Sequence, residues 1–315
     1  MAARASRSRG AVPTKCLRWP MGAERPIILD GGLSNALEDR GHDLSDALWS
    51  ARLLRDAPAE IAAVHRTYFA AGAMVATTAS YQASVRGFAQ AGVPEREAER
   101  LISSSVRIAR DVRDEFGDGR LVAASVGPYG AFLADGSEYR GRYGVPASTL
   151  RDFHGPRLEL LIDAAPDLLA IETVPDVDEA EVLVELLREL DFPAWFAYSA
   201  ADGKTRAGQP LADAFAVTAI PQVVAVGINC CDPDDVRTAV ATAVAVTWRP
   251  AVAYPNSGAV WNAEARAWAG EPADFATLAP AWVASGAAYV GGCCQVGPAQ
   301  ISELAKALDA QHLAK

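Results

Sequence analysis

From Pro26 onward the chain alternates short apolar runs with longer stretches whose apolar residues recur every three or four positions. Ile27, Ile28 and Leu29 make the first run, and Asp30-Gly31-Gly32 stops it. Residues 58–72 open on proline, place Ile61, Val64, Tyr68 and Phe69 on one helical stripe and close on glycine, which is how a helix is punctuated. Residues 74–78 read as a second strand. Ala98, Leu101, Ile102, Ser105, Ala109 and Val112 then step by threes and fours, predicting a helix over 95–116. Further strands are expected at 121–126, 167–171, 194–198, 223–228, 251–254 and 288–290, with a helix over 178–190. Eight strands separated by helical segments predict a parallel sheet, and the number eight predicts its closure as a single-domain (β/α)8 TIM-type barrel over 25–315. A doubly wound open sheet is the alternative, weakened because no G-x-G-x-x-G follows the first strand.

The residues just after these runs carry the chemistry. They are Asp30, Tyr81, Gly127-Pro128-Tyr129, Glu172, Asn229-Cys230, Pro255-Asn256 and Gly291-Gly292-Cys293-Cys294. In a barrel, the carboxyl ends of the strands converge on one mouth, where active sites of this architecture lie.

Composition narrows the class without naming a function. The 315 residues carry 29 Lys plus Arg against 39 Asp plus Glu, a net charge of -10. That balance argues against a general affinity for nucleic acid or anionic membranes. No apolar run reaches the length of a membrane span, about 18 residues. Residues 1–24 hold Arg4, Arg7, Arg9, Lys15 and Arg18, and no apolar core of a secretory signal follows, so they are expected to be a disordered basic leader on a cytoplasmic protein, with Met21 as an alternative start. Cys16 in that leader is assigned no role.

Five cysteines are too few for a disulfide scaffold, yet four fall in two adjacent pairs, Cys230-Cys231 and Cys293-Cys294. Both pairs follow strands, and one thiolate from the sixth strand end with two from the eighth would give the three-ligand set of a catalytic zinc site. A structural finger is disfavoured, because there is no C-x-x-C and none of His42, His65, His154 and His312 lies at a strand end. Adjacent cysteines must be turned inward, and Gly291-Gly292 are expected to supply that freedom. Two other readings stand beside this one. Free cysteines are often simply small buried hydrophobes, and a vicinal pair could form a strained, redox-active disulfide.

At this point the sequence resembles a family, the zinc-dependent homocysteine S-methyltransferases. The motifs are D-G-G at 30–32, D-A-L-W-S at 46–50, T-A-S-Y-Q at 78–82, S-V-G-P-Y-G at 125–130, A-D-G-S-E-Y at 134–139, G-I-N-C at 227–230, Y-P-N-S-G at 254–258 and G-G-C-C at 291–294. They run in order across nearly all of the chain outside the tails. The likeness is greatest to bacterial and plant enzymes that use S-methylmethionine, and weaker to betaine-dependent ones, whose carboxy-terminal extension is missing here. What the resemblance implies is a Zn2+ held by Cys230, Cys293 and Cys294, with the homocysteine sulfur as fourth ligand and Cys231 as a bystander. It also implies that Asp30 and Glu172 receive the homocysteine ammonium.

The residues themselves suggest that amides near Gly31 and Gly32 take the carboxylate, and that Asn229 either orients the metal loop or binds substrate. Trp49 and Tyr81 match donor-side positions of the family, and aromatic faces suit a sulfonium. Residues 129–143 lack periodicity and are expected to form a substrate-covering loop. The expected reaction transfers a methyl from S-methylmethionine, with S-adenosylmethionine as a poorer donor, to zinc-activated homocysteine. A non-catalytic thiol redox sensor or metal-binding protein is the competing function. The chain is expected to act as a monomer or weak oligomer.

Overall fold

The computed structural model describes residues 25–45, 48–117, 119–262 and 267–313, with the side chains of 260–269 and 311–313 left aside. The leader 1–24, Cys16 and Met21 within it, and the first two residues of the 46–50 motif lie outside the described residues. Eight parallel strands form one sheet: β1 Ile27–Ile28, β2 Val75–Thr77, β3 Leu121–Val126, β4 Leu168–Val174, β5 Ala194–Tyr198, β6 Val223–Asn229, β7 Ala251–Tyr254 and β8 Ala287–Val290. The order runs β1-β8-β7-β6-β5-β4-β3-β2, and a parallel bridge from Leu29 to Val75 joins the two ends. The sheet is therefore closed, and the fold is a TIM barrel.

Closure divides the core in two. Leu29, Val75, Ala123, Leu168, Ala170, Trp195, Ala197, Ala225, Val252, Tyr254 and Tyr289 fill the barrel interior. Alanines on β3 to β6 make room for Trp195, Tyr254 and Tyr289, the alternation of small and large that fills a barrel without voids. Residues one position along, such as Leu169, Ile171, Val226 and Ile228, face outward into the shell beneath the helices. Both faces of every strand are apolar, which is why the strands read as continuous hydrophobic runs.

The same period of two sets the mouth. Continuing the interior series Ala123, Leu168-Ala170, Ala225 and Val252 by two residues reaches Ser125, Glu172, Gly227 then Asn229, and Tyr254. Strand β4 runs to Val174 rather than stopping at Ile171, so Glu172 and Thr173 belong to the strand, with a register shift against β5 between Ile171 and Val174. Residues 129–143 also depart from expectation. They contain a helix, Tyr129–Leu133, and a 3-10 turn, Ser137–Tyr139. Among the described residues no helix is long and apolar enough to cross a membrane.

Candidate active site and metal centre

The mouth holds a cavity of about 120 Å³ bounded by Asp30, Trp49, Thr77, Tyr81, Ser125, Tyr139, Glu172, Thr173, Tyr254 and the three cysteines Cys230, Cys293 and Cys294. The sulfurs of the cysteines lie within 4.8 Å of one another, and Cys230 Sγ is 3.6 Å from Cys294 Sγ. Three sulfurs bound about 2.3 Å from a tetrahedral zinc stand about 3.8 Å apart, so the set fits that ion. Cys231 is buried in the outer core with Val236 and Val240 and takes no part in the cluster.

Backbone geometry brings the two clusters together. The turn into the mouth after β6 is made by Cys230 itself, at φ 50°, a left-handed conformation costly for a residue with a side chain. After β8 the comparable residue is Gln295 at φ 61°. Gly291 and Gly292 serve a different purpose from the expected freedom: neither has positive φ, and each lies where a Cβ would collide. At Gly291 it would sit 2.6 Å from Leu29 Cβ, and at Gly292 2.2 Å from Val296 Cγ1. Asn256 ties the clusters to each other. Its N–H donates to the Cys231 carbonyl at 3.0 Å, and its Oδ1 accepts from the Cys294 N–H at 3.1 Å.

Asp30 and Glu172 are buried carboxylates with neutral partners. Asp30 accepts from Thr77 N at 2.6 Å and Thr77 Oγ1 at 2.8 Å. Burial nonetheless pushes its pKa up to about 7, with the nearby Glu172 charge adding to the effect. Glu172 accepts a short hydrogen bond from Ser125 Oγ and another from the Tyr254 hydroxyl, which is itself held by Trp195 Nε1 at 3.0 Å. Burial raises Glu172 to about 7 as well, against the pull of those two donors. Neither acid forms an ion pair among the described residues, and the buried Arg157 charge only partly offsets the burial of Glu172. The thiols are split, one lowered and two raised. Hydrogen bonds from Cys293, Cys294 and Tyr139 pull Cys230 well below the ordinary thiol range, while donation to Cys230 pushes Cys293 and Cys294 up.

The structure also places Gly31, Gly32 and Asn229; both glycines line the cavity. The Gly32 N–H already donates to the Val296 carbonyl at 2.9 Å, so it is not free for a carboxylate. A Cβ at Gly31 would lie 2.2 Å from the Val296 oxygen, and one at Gly32 2.6 Å from the Cys293 oxygen. These glycines let the first strand approach the cysteine loop. Asn229 is fully buried and does not line the cavity; its Oδ1 accepts from Thr173 N at 2.7 Å and its Nδ2 donates to Thr173 Oγ1 at 2.8 Å. It holds β4 to β6, and its Nδ2 lies 4.0 Å from Cys293 Sγ.

Trp49 and Tyr81 both reach the cavity. Trp49 stands on the rim, 37% exposed, at φ 50°. The Tyr81 ring lies over Gly127, where a Cβ would be 2.6 Å from it, and the Ser80 and Tyr81 carbonyls accept from the buried Arg157 guanidinium. The Tyr81 ring explains the first glycine in S-V-G-P-Y-G, and the close Glu138 backbone the second. Residues that sequence reasoning passed over are Thr77, Ser125, Thr173, Tyr254 and Tyr139. The first four stand at strand ends, where interior parity or position on the strand could have found them. Tyr139 carried no such signal.

Comparison with known proteins agrees with this geometry. Residues 27–308 match the model of a family described as homocysteine S-methyltransferase. A homocysteine S-methyltransferase of Escherichia coli is 44% identical over 292 residues, 88% of this chain and 94% of the relative. Homocysteine S-methyltransferase YbgG of Bacillus subtilis is 43% identical over 295 residues, 89% and 93% of the two chains. The crystal structure of the homocysteine methyltransferase MmuM from Escherichia coli in its metallated form superposes with a TM-score of 0.82 at 42% identity, covering 90% of this chain and 96% of that one.

Proposed function

The chain belongs to the homocysteine S-methyltransferase family, and from that premise we propose that its barrel mouth methylates the homocysteine sulfur at a zinc site, with S-methylmethionine as donor. The observation that carries the reading is the meeting, in one cavity, of three cysteine sulfurs with two desolvated carboxylates. The sulfurs suit a soft divalent metal, and the acids suit an amino-acid ammonium.

Cys230, Cys293 and Cys294 would hold the Zn2+, which when bound keeps a thiol sulfur in its nucleophilic, deprotonated form at neutral pH. Asp30 and Glu172 hold the ammonium of homocysteine and thereby aim its sulfur across the cavity. Thr77 fixes the Asp30 carboxylate at both oxygens, and Ser125 and Tyr254 fix that of Glu172. Trp49 and Tyr81 offer aromatic surface to the sulfonium, whose charge is attracted by ring faces. In the transfer, the homocysteine sulfur forms a bond to the methyl carbon as the bond from that carbon to the sulfonium breaks. The positive charge on the donor is discharged into a neutral thioether, and with S-methylmethionine both products are methionine. Three thiolates around a divalent ion leave an excess of negative charge, which favours a cationic donor. A site built on free thiols works in a reducing compartment, which supports a cytoplasmic location.

One experiment tests the reading. The purified protein should contain about one zinc per chain and form methionine from homocysteine with S-methylmethionine at a higher kcat/KM than with S-adenosylmethionine, and betaine should be inert. Protein without bound metal that is nonetheless fully active would refute it.

A further inference from the structure

S-Methylmethionine carries a carboxylate beside its sulfonium and ammonium groups, whereas the acids, rings and sulfurs of the cavity suit cations. A half-buried arginine stands at the edge of that cavity. Arg206 follows the antiparallel hairpin Ala200–Ala201 and Lys204–Thr205, which leaves the mouth after β5. Its guanidinium lies 5.7 Å from the ring of Tyr139, a cavity residue, and its Nε donates to Ser199 Oγ at 3.2 Å. Ser199 Oγ in turn lies 3.4 Å from the Cys230 carbonyl, so one hydroxyl links the arginine to the cysteine cluster.

The two terminal nitrogens, Nη1 and Nη2, are neither buried nor bonded to protein among the described residues. Asp235, an acid that feels the Arg206 charge, accepts instead from the Asp202 N–H at 3.2 Å. Other guanidinium groups near the mouth are occupied. Arg142 donates to the Ala207 carbonyl from Nε and Nη2, Arg157 donates to the Gly127, Ser80 and Tyr81 carbonyls, and Arg140 pairs with Asp135 at 3.5 Å. An open guanidinium fork matches the two oxygens of a carboxylate.

The fork is also held in place. Arg206 N donates to the Ser199 carbonyl at 3.2 Å, and Ala207 N to the Pro175 carbonyl at 2.9 Å. Residues 129–143 form a strap that grips the same hairpin through the Arg142 side chain, 2.8 Å from the Ala207 carbonyl. The strap is itself anchored by two acids. Asp176 accepts from Arg142 N at 2.7 Å, and the fully buried Glu179 accepts from Tyr129 N at 2.6 Å and from the Tyr143 hydroxyl at 2.9 Å.

We propose that Arg206 receives the α-carboxylate of the methyl donor, so that the site selects sulfonium compounds that are amino acids. The proposal rests on the reading of function above. Homocysteine has its ammonium at Asp30 and Glu172 and its sulfur at the cysteines, so its carboxylate, on the carbon that bears the ammonium, stays at the acid end of the cavity. The donor meets that sulfur with its own head group pointing away, toward the rim where Tyr139 and Arg206 stand. The negative charge of the cysteine cluster draws the sulfonium inward and turns the carboxylate outward, onto the arginine.

The test is Arg206→Met, which keeps an unbranched side chain against the Tyr139 ring and removes the fork. Variant and parent, at equal zinc content and saturating homocysteine, are assayed with S-methylmethionine and with its carboxamide, which retains the sulfonium and the ammonium. With S-methylmethionine the variant's kcat/KM should fall by about 10- to 100-fold, with KM for homocysteine unchanged. The parent should lose a similar factor on going from the acid to the carboxamide, and the variant should lose little more, because both changes remove one interaction. Arg206→Lys, which keeps the charge without the fork, should fall between. An equal loss with both donors would reduce Arg206 to a prop behind Ser199 and Cys230 and overturn the proposal, and so would no loss with either. A parent that forms no methionine from S-methylmethionine would bring down the reading of function together with the proposal.

Discussion

At the level of single residues the site depends on side chains held in unfavourable states. Three non-glycine residues lining the cavity, Trp49, Thr173 and Cys230, lie at positive φ, and two carboxylates are stripped of solvent. Replacing Cys293 with Ala should drop bound zinc far below one per chain and activity by about 100-fold or more, since loss of a ligand exceeds loss of its outer partner. Metal analysis beside a methionine-formation assay checks this. Glu172→Gln should raise KM for homocysteine by about 10- to 100-fold, the worth of a charge-assisted hydrogen bond of about 1.5–3 kcal/mol, with a much smaller effect on KM for the donor. The same variant has a signature in stability. The folded protein holds Glu172 at about 7, above its ordinary value of 4.5, so its stabilising contribution is complete below pH 4.5 and is lost as pH rises through 7. Melting curves of metal-free protein should therefore show Glu172→Gln gaining on the parent between pH 4.5 and 7 and levelling above. A difference that does not vary with pH would contradict the raised value.

Elements were legible wherever burial was complete. The runs Leu121–Val126, Ala194–Tyr198 and Ala251–Tyr254 are read from sequence with their observed bounds, because both faces of a barrel strand are apolar. The reading failed where a polar side chain ends an apolar run without ending the strand. Glu172 interrupts the hydrophobic pattern of β4, but its parity still points inward, and the strand carries it to the mouth. The cysteine cluster was legible from its position after strands, and Asp30 likewise. Tyr139 was not, because its placement depends on Glu179 and Asp176, which are 40 and 37 positions away in the chain. Helix Pro58–Ala70 holds a further oddity, His65, fully buried with no partner at either ring nitrogen among the described residues. Burial lowers its pKa to about 4 from 6.5. It must stay neutral in the fold, so the unfolded chain gains a proton that the folded one refuses as pH falls from 6.5 toward 4. His65→Leu should stabilise the protein by about 1 kcal/mol near neutrality through relief of the unpaired polar atoms, and by more at pH 5. Denaturant unfolding at the two pH values tests this.

The whole molecule joins its beginning to its end at the mouth. Strand β1 pairs with β8, the Leu29 bridge reaches β2, and Gly32 hydrogen-bonds to Val296 beside the cysteine loop. A metal held by Cys230 at the end of β6 and by the loop after β8 would brace that loop, on which β1 rests through the Gly32–Val296 hydrogen bond. Chelation should lower the melting temperature by several degrees, given about 2.7 kcal/mol for a ligand at a hundredfold excess over its Kd, and hydrogen exchange should quicken first in residues 27–33 and 291–297. Uniform quickening over the barrel would argue against such bracing. The strap follows a different logic. Both of its carboxylate anchors, Asp176 and Glu179, belong to the stretch that begins at Glu172 of the cavity. The anchors thus belong to the barrel, and the strap hangs from them as one piece. Residues 129–143 are therefore one transplantable part, but they carry the Tyr139 hydroxyl to 3.1 Å from the Cys230 sulfur, so a strap grafted from a relative should alter the cysteine cluster together with the cavity wall.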